Sequence, residues 1–195
     1  MNKLIGKFIN TNDRVLDLGC GDGSLLAFLK ENNQVKGLGL EIDHQKIQKC
    51  LQKDVSVIDQ DIDSGLGNFQ DQSFDAVIMS QSIQALRKPE VALEEIIRIG
   101  KEAIISIPNF ANWRCRLQLI FGGTMPVSSA LPHDWYSTPN IHLCSLKDFE
   151  SLCEGSNIKI SEKKLIKASG ENTFLSNFFP NLFAEIAIYK LEKKS

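Results

Sequence analysis

The sequence has no run of about 18 apolar residues, so it has no candidate membrane span. Its first residues also lack the apolar core of a secretion signal. The five cysteines form no C-x-x-C pair and are odd in number, which argues against a disulfide framework and against structural zinc. The net charge is -2, and the basic residues form no stripe for a phosphate backbone or membrane surface. We therefore expect a cytoplasmic protein with reduced thiols and without metal, membrane or nucleic-acid partners.

Repeats and low-complexity tracts are also missing, so nothing in the sequence divides its 195 residues. A hydrophobic content of 43% and a charged content of 24% are ordinary for a globular protein. A chain of this length can bury roughly 70% of its unfolded surface without disulfides. We expect residues 1–195 to form one domain.

Short apolar strands alternate with helices over the first hundred residues. Periodicity predicts strands at 14–18, 35–41, 55–59, 74–79 and 101–107, and helices at 24–33, 43–53 and 90–99. Such alternation gives a parallel sheet with helices on both faces and ligands at the carboxyl ends of the strands. After a helix at 145–154, strands at 158–165 and 183–191 would close one edge as an antiparallel hairpin. The expected class is α/β, with a Rossmann-like, mostly parallel sheet.

The segment Val15–Gly23, an apolar strand followed by three alternate glycines, is the most informative motif. Glycine lets a ligand approach the backbone closely, because it has no Cβ and tolerates positive φ. Gly19, Gly21 and Gly23 are spaced G-x-G-x-G, whereas the dinucleotide fingerprint is G-x-G-x-x-G. Asp17 would repel a pyrophosphate but not the cationic groups of S-adenosylmethionine (SAM). The segment resembles motif I of class I methyltransferases, and a nicotinamide cofactor is disfavoured.

Acidic residues at the ends of the next two predicted strands extend this motif. Glu41 stands near the offset at which a carboxylate meets the two hydroxyls of a ribose. Asp61 is placed for an adenine amine, although an acid there can also simply cap a helix. Cys20 reads as a small residue packed under the cofactor, because no neighbouring histidine would activate it. The predicted site for SAM or S-adenosylhomocysteine (SAH) consists of Asp17, Gly19, Cys20, Gly21, Glu41, Ile42, Asp61, Ile62 and Ser80, with Gln81 beside it.

Residues 109–143 are too irregular for the alternation and contain both tryptophans and two of the three histidines. An insert that follows the carboxyl end of a strand is where an acceptor pocket or lid belongs. The pocket candidates are Asn109, Trp113, Trp135 and Asn140, and the candidate catalytic residues are His133, His142 and Tyr136. The preferred interpretation of each histidine is a structural hydrogen-bonding residue rather than a catalyst, since no partner carboxylate can be assigned from the sequence.

An amphipathic helix is predicted at the start of this insert. Trp113, Leu117, Ile120 and Phe121 fall on one stripe of that helix. The preferred interpretation is a lid packed on its own domain, followed by a partner-binding face and then a membrane-surface helix. The apolar segment 174–180 has similar alternatives, as part of the core or as a docking patch.

The second half of the chain carries a more specific pattern. It reads I-P-N-F-A-N-W-R at 107–114, G-G-T-M-P at 122–126 and L-P-H-D-W-Y-S-T-P-N-I-H-L-C at 131–144. This pattern resembles the MetW family of methionine biosynthesis proteins, from about residue 15 to the end. The resemblance implies a methyltransferase-like fold and a role beside homoserine O-acyltransferase, which activates homoserine for sulfur incorporation. Membership of this family does not by itself imply methyl transfer.

Two positions depart from that family's pattern. Where His133 stands the family commonly has a tyrosine or similar ring, and where Ser137 stands it has an acidic residue. The fourth predicted strand is not followed by an Asn/Asp-Pro-Pro-aromatic run, which weighs against amino methylation of bases or glutamine. Two hypotheses follow, and whether the chain is an enzyme stays open between them. One is a SAM-binding accessory or regulatory subunit of homoserine O-acyltransferase, and the other is an active methyltransferase with a small-molecule acceptor.

Overall fold

Seven strands form one sheet in the computed structural model, which describes residues 1–166 and 178–194. They are β1 (Arg14–Leu18), β2 (Lys36–Glu41), β3 (Ser56–Asp59), β4 (Phe74–Ser80), β5 (Gly100–Pro108), β6 (Ile158–Ile166) and β7 (Ile186–Lys193). Their order across the sheet is β3-β2-β1-β4-β5-β7-β6. Residues 174–177 of the predicted apolar segment lie outside the described ranges.

The five predicted strands of the first half all pair in parallel, which confirms the expected α/β sheet. The chain builds outward from β1 through β2 to β3, and then returns to the other side of β1 with β4 and β5. Connections therefore leave the carboxyl ends of β1 and β4 in opposite directions. A crevice opens at such a switch point, and this is where ligands bind in open α/β sheets.

Helices cover both faces of the sheet, as predicted. They are α1 (Asn2–Ile5), α2 (Ser24–Asn33), α3 (His44–Gln52), α4 (Pro89–Ile99), α5 (Trp113–Leu117), α6 (Leu146–Gly155) and α7 (Pro180–Phe183). Alternate residues of β4 point to different cores: Ile78 packs in the cluster that contains Leu26 of α2, whereas Met79 packs in the cluster that contains Leu93 of α4 and Phe149 of α6. This two-sided burial explains why the strands read as continuous apolar runs.

The last two strands form the predicted antiparallel pair at one edge. The final strand begins at Ile186 rather than at residue 183, because Pro180–Phe183 form a short helix with proline in its first turn. β7 lies between β5 and β6 and is antiparallel to both, so β6 is the outermost strand.

The insert at 109–143 begins with a short helical segment and is otherwise irregular. The Asn112 side chain caps α5 by accepting a hydrogen bond from the backbone N–H of Arg114, at 3.0 Å. A π-helical turn, Gln118–Gly122, continues this helix until Gly123, which has a φ of +62°. None of the helices in the described ranges has the length and apolar character needed to cross a bilayer. The cytoplasmic location stays a prediction.

Candidate functional site

The glycine turn after β1 has a positive φ at each of its three glycines: +73° at Gly19, +59° at Gly21 and +73° at Gly23. Two of these positions are closed by packing. A Cβ on Gly19 would lie 3.1 Å from the Cβ of Ser82, and one on Gly23 would lie 3.0 Å from the Sγ of Cys50. A Cβ on Gly21 would instead point into open space. Gly21 is therefore the position at which a ligand can reach the backbone.

The Glu41 carboxylate holds this turn against the end of β2. Its Oε2 accepts a hydrogen bond from the backbone N–H of Gly21 at 2.9 Å. Its Oε1 accepts bonds from the N–H groups of Ile42 at 3.0 Å and Asp43 at 3.1 Å. A carboxylate oxygen can accept two bonds, so Oε2 retains capacity for a hydroxyl donor. The side chain is buried, yet it borders the cleft described below.

Asp17 lies in β1 directly beneath the turn and is buried. Its Oδ1 has no hydrogen-bond partner among the described residues. Burial, together with the nearby charge of Glu41, raises the pKa of Asp17 to about 7. An unpaired buried carboxylate beside a second carboxylate is complemented by a positively charged ligand.

A cleft of about 480 Å³ opens above the turn at the carboxyl ends of β1, β2 and β4. Its size falls in the range typical of small-molecule sites. It brings together seven of the nine predicted cofactor residues, namely Gly19, Gly21, Glu41, Ile42, Asp61, Ile62 and Ser80. Gln81, which has a φ of +56°, lines the same wall as Ser80.

The other two predicted cofactor residues, Asp17 and Cys20, lie beneath the turn rather than in the cleft wall. Cys20 packs against Gly39, and its Sγ is 3.9 Å from the Sγ of Cys50. Burial, first of all, raises the pKa of the Cys20 thiol. The thiol is therefore a poor nucleophile, in agreement with its predicted packing role.

Asp61 combines the two alternatives that the sequence left open. Its Oδ1 accepts a hydrogen bond from the N–H of Asp63 at 2.9 Å and so caps a short 3₁₀ turn at Ile62–Ser64. The same residue lines the cleft, with the partly buried Ile62 beside it. The carboxylate of Asp63 in turn accepts a hydrogen bond from the backbone N–H of Arg87 at 3.0 Å, which fixes this loop to the end of the β4–α4 connection.

Sequence reasoning missed several lining residues. They are Leu40, Asp43, Lys46, Gln60, Asp63, Ser82, Ala85, Leu86 and Pro139. All of them except Leu40 and Pro139 lie within about seven residues after the carboxyl end of a predicted strand, so topology could have identified this region of the chain. Pro139 had no such signal, because hydrophobic periodicity does not encode the path of an irregular insert.

Of the four pocket candidates in the insert, only Asn140 lines the cleft. Asn109 is buried, and its Nδ2 donates to the carbonyl oxygens of Asn181 at 3.1 Å and Ala184 at 2.8 Å. Its Oδ1 accepts the N–H of Ala111 at 3.1 Å. The prediction for Asn109 is corrected, because its amide is used to hold the backbone at the start of the insert.

The aromatic and histidine candidates also lie away from the cleft wall. Trp113, His133, Trp135, Tyr136 and His142 are all exposed, and none of them is among the lining residues. The Trp135 and Tyr136 rings contact each other edge to face, with centroids 5.8 Å apart. In the described part of the chain, the cleft therefore has no histidine that could act as a base.

Comparison with known proteins identifies the family to which this chain belongs. The chain matches the sequence model of "Methionine biosynthesis protein MetW" over residues 2–191. A relative from Rhodopirellula baltica, the bifunctional methionine biosynthesis protein MetXA/MetW, is 30% identical over 198 residues and 97% of this chain. The match spans only 32% of the length of that relative.

Solved structures share the fold at low sequence identity. A SAM-dependent methyltransferase from Mesorhizobium loti has a TM-score of 0.71 at 13% identity, covering 98% of this chain and 96% of that chain. SpnF, a [4+2]-cyclase, has a TM-score of 0.68 at 15% identity, covering 99% of this chain and 80% of that chain. A fold with such different neighbours does not define a reaction. The chain has the fold of the class I SAM-dependent methyltransferases and belongs to the MetW family of methionine biosynthesis proteins.

Proposed function

We propose that this chain is a SAM-binding accessory subunit that supports homoserine O-acyltransferase in methionine biosynthesis. The cleft above Gly21 is the observation that carries the proposal, since it combines open space at a glycine with carboxylates on two neighbouring loops. Glu41 would hold the ribose hydroxyls, and Asp61 with Ile62 would hold the adenine. Asp17 beneath the turn would favour a cationic ligand. In the accessory role, SAM would be a regulatory ligand whose concentration reports the state of the pathway. In an active methyltransferase, SAM would supply a transferable methyl group.

The partner is supported by the relative from Rhodopirellula baltica, whose name joins MetXA and MetW in one chain. We take the MetXA part to be the homoserine O-acyltransferase, for which the remaining two thirds of that chain leave room. Two functions that are joined in one chain are often separate, associating subunits elsewhere. The present chain matches about a third of that relative, and we propose that it acts in association with a homoserine O-acyltransferase.

An exposed apolar surface at the start of the insert supports such an association. We call it the insert surface, and it consists of Leu117, Ile120, Phe121, Met125 and Val127. Ile120 is 71% exposed and Phe121 is 82% exposed. Exposed apolar side chains concentrated in one short segment, here within residues 117–127, are typical of interaction sites in proteins. The exposure of the predicted stripe supports a partner-binding face over a lid packed on its own domain.

The alternative function is methyl transfer to a small-molecule acceptor. The observation that favours it is that the cleft extends past the cofactor set to polar groups on Gln81 and Asn140. The lack of a lining histidine in the described residues favours the accessory role, because many acceptors must lose a proton to a base.

Isothermal titration calorimetry of the purified chain with SAM and SAH tests the proposal. We expect Glu41→Ala to weaken SAM binding by at least about tenfold, since the charge-assisted hydrogen bond from the ribose to Oε2 is lost. Glu90→Ala, an exposed glutamate on α4, is the matched control and should bind as the wild type does. Melting curves of both variants show whether Glu41→Ala acts through the fold.

The same titration in the presence of the homoserine O-acyltransferase from the same organism tests the accessory role. Complex formation, seen by sedimentation, together with a changed SAM affinity supports it. SAM binding without any complex would leave only the methyltransferase alternative, and failure to bind either ligand would overturn the cofactor assignment.

A further inference from the structure

A second cavity lies where α5, α6 and α7 meet, away from the cofactor cleft. Its volume is about 350 Å³, and the described residues that line it are all different from those that line the cleft. We call it the α7 groove. Residues of α5, of α6 and of the start of α7 form its walls, chiefly Arg116, Lys147, Glu150, Phe178, Phe179 and Asn181.

Hydrogen bonds from side chains and backbone hold the walls of this groove together. Asn109 and Asn112 both donate through Nδ2 to the carbonyl oxygen of Ala184, which follows α7, at 2.8 Å and 3.1 Å. Asn109 also donates to the carbonyl oxygen of Asn181 at 3.1 Å. From α6, the backbone N–H of Lys147 donates to Oδ1 of Asn181 at 3.4 Å. The groove is therefore a fixed feature of the fold.

The groove has an excess of positive charge. Arg116 and Lys147 are exposed, and neither forms an ion pair with a residue of the described ranges. Nε of Arg116 donates to a backbone carbonyl oxygen at 2.7 Å, which positions the guanidinium without neutralising its charge. Glu150 is the one acid among the described lining residues, and its Oε1 already accepts a hydrogen bond from Nζ of Lys163 at 2.9 Å. Asp148 closes the cap of α6 and does not line the groove.

Apolar rings lie beside these cations. Phe178 and Phe179 are 65% and 61% exposed, so the described end of the predicted apolar segment 174–180 supports a docking patch over a place in the core. The Phe179 ring contacts the ring of Phe183 edge to face, with centroids 6.5 Å apart. Two cations beside exposed aromatic rings are complemented by a carboxylate that stands next to a large apolar side chain.

The α7 groove adjoins the insert surface. Arg116 of the groove and Leu117 of the insert surface are successive residues of α5, so their side chains point about 100° apart around the helix axis. A protein that covers the insert surface therefore reaches the groove with one continuous contact area. This continuity favours a segment of a protein partner over a free small acid, and the charge of the groove favours an acidic segment.

We infer that the α7 groove is a second docking point for the homoserine O-acyltransferase, and that it takes a surface segment with an aspartate or glutamate next to a large apolar side chain. Arg116 and Lys147 bind the carboxylate, and Phe178 and Phe179 contact the apolar side chain. The inference rests on the proposed function, because the partner is the one proposed there.

Sedimentation velocity with the homoserine O-acyltransferase from the same organism tests the groove. We expect Lys147→Glu to weaken association at least about tenfold, because the new carboxylate would repel that of the partner. The substitution is mild for the fold, since Lys147 lies in the first turn of α6, where a negative charge is favourable. Lys49→Glu, at an exposed lysine of α3, makes the same change in net charge outside both surfaces and should associate as the wild type does.

Neutral variants test the two halves of the site separately. Association of the wild type should weaken as salt is raised, and the double variant Arg116→Gln, Lys147→Gln should depend less on salt, because screened charges are removed. Phe179→Ala should weaken association at least about fivefold at low and high salt alike, since an apolar contact is lost. Melting curves and SAM affinity of the variants alone show that the fold is intact.

The outcomes separate this inference from the proposed function. Equal association of the wild type, Lys147→Glu and Phe179→Ala would overturn the docking role of the groove and leave the proposed partner intact. A wild-type chain that does not associate at all would contradict the accessory role and this inference together. Self-association of the chain that is lost in Lys147→Glu would assign the groove to a second copy of this chain, and would overturn the inference as well.

Discussion

Asp17 shows how a single buried group can oppose folding and favour a ligand. In the unfolded chain its pKa is near 3.8, whereas in the folded chain burial and Glu41 raise this pKa to about 7. Between these pH values the folded protein holds a proton that the unfolded chain has lost. Stability from this group therefore falls as the pH rises from about 4 to about 7, and stays low above that range.

We predict that Asp17→Asn, which removes the charge, stabilises the ligand-free chain at pH 8 by about 2–4 kcal/mol and changes little near pH 4. Urea unfolding at both pH values measures this difference. Asp75→Asn is a control of opposite sign, because the hydrogen bond from Lys101 lowers the pKa of Asp75. Its stabilising contribution is present above pH 4, so that variant should lose stability at pH 8. An identical pH dependence in Asp17→Asn and wild type would contradict the prediction.

The open space at Gly21 gives a second prediction at the scale of one residue. Gly21→Ala should weaken SAM binding by at least about tenfold, because the new Cβ enters the cleft, and should cost roughly 1–2 kcal/mol for an L residue at positive φ. Gly123→Ala is matched in backbone strain, since its φ of +62° is close to the +59° of Gly21 and its Cβ also meets no atom. Calorimetry should show normal SAM binding in the Gly123 variant. Equal SAM affinity in both variants would contradict the prediction, because it would show that SAM does not contact Gly21.

At the scale of elements, the segment formed by α5 and the turn Gln118–Gly122 differs from the other helices. The long helices α2, α4 and α6 each bury an apolar face in one of the two cores. The segment 113–122 instead buries Cys115 and exposes most of its large apolar residues. An element that is apolar on its solvent side is expected to pack against something outside the chain.

We predict that Ile120→Asp and Phe121→Asp each weaken association with homoserine O-acyltransferase by at least about tenfold, because a carboxylate would be buried at the interface. Leu51→Asp on α3 is the control, since Leu51 is 63% exposed and lies outside the insert surface. Sedimentation velocity of the mixed proteins measures the association. Unchanged association in both insert variants would place the partner on a different face, and unchanged SAM binding in all three would confirm that the cleft is intact.

At the scale of the whole molecule, the sequence predicted the sheet well because burial on two faces leaves a clear pattern. The central parallel strands β1, β4 and β5 are apolar over most of their length, and residues that follow β1, β2, β3 and β4 line the cleft. Hydrophobic periodicity carries no pairing information, however, so the position of β7 between β5 and β6 was not foreseen.

The same limit explains the mixed outcome for the site. Glycines and acids at strand ends are positioned by topology, and four of them meet in the cleft together with the three predicted neighbours Ile42, Ile62 and Ser80. Asn109 and Asn140 are chemically alike and lie in the same irregular insert, yet one holds the backbone and the other lines the cleft. Only the path of the insert separates these two roles, and no local pattern specifies that path.

The two hydrogen bonds from Ile141 and His142 to the Gln84 carbonyl make the far end of the insert part of the cleft wall, while the near end carries the insert surface. One continuous segment thus borders both proposed ligands. If a docked partner shifts this segment and changes SAM affinity by some factor, thermodynamic linkage requires SAM to change partner affinity by the same factor. The fraction of this chain that binds SAM would then depend on the concentration of the partner, and the fraction that binds the partner would depend on the concentration of SAM.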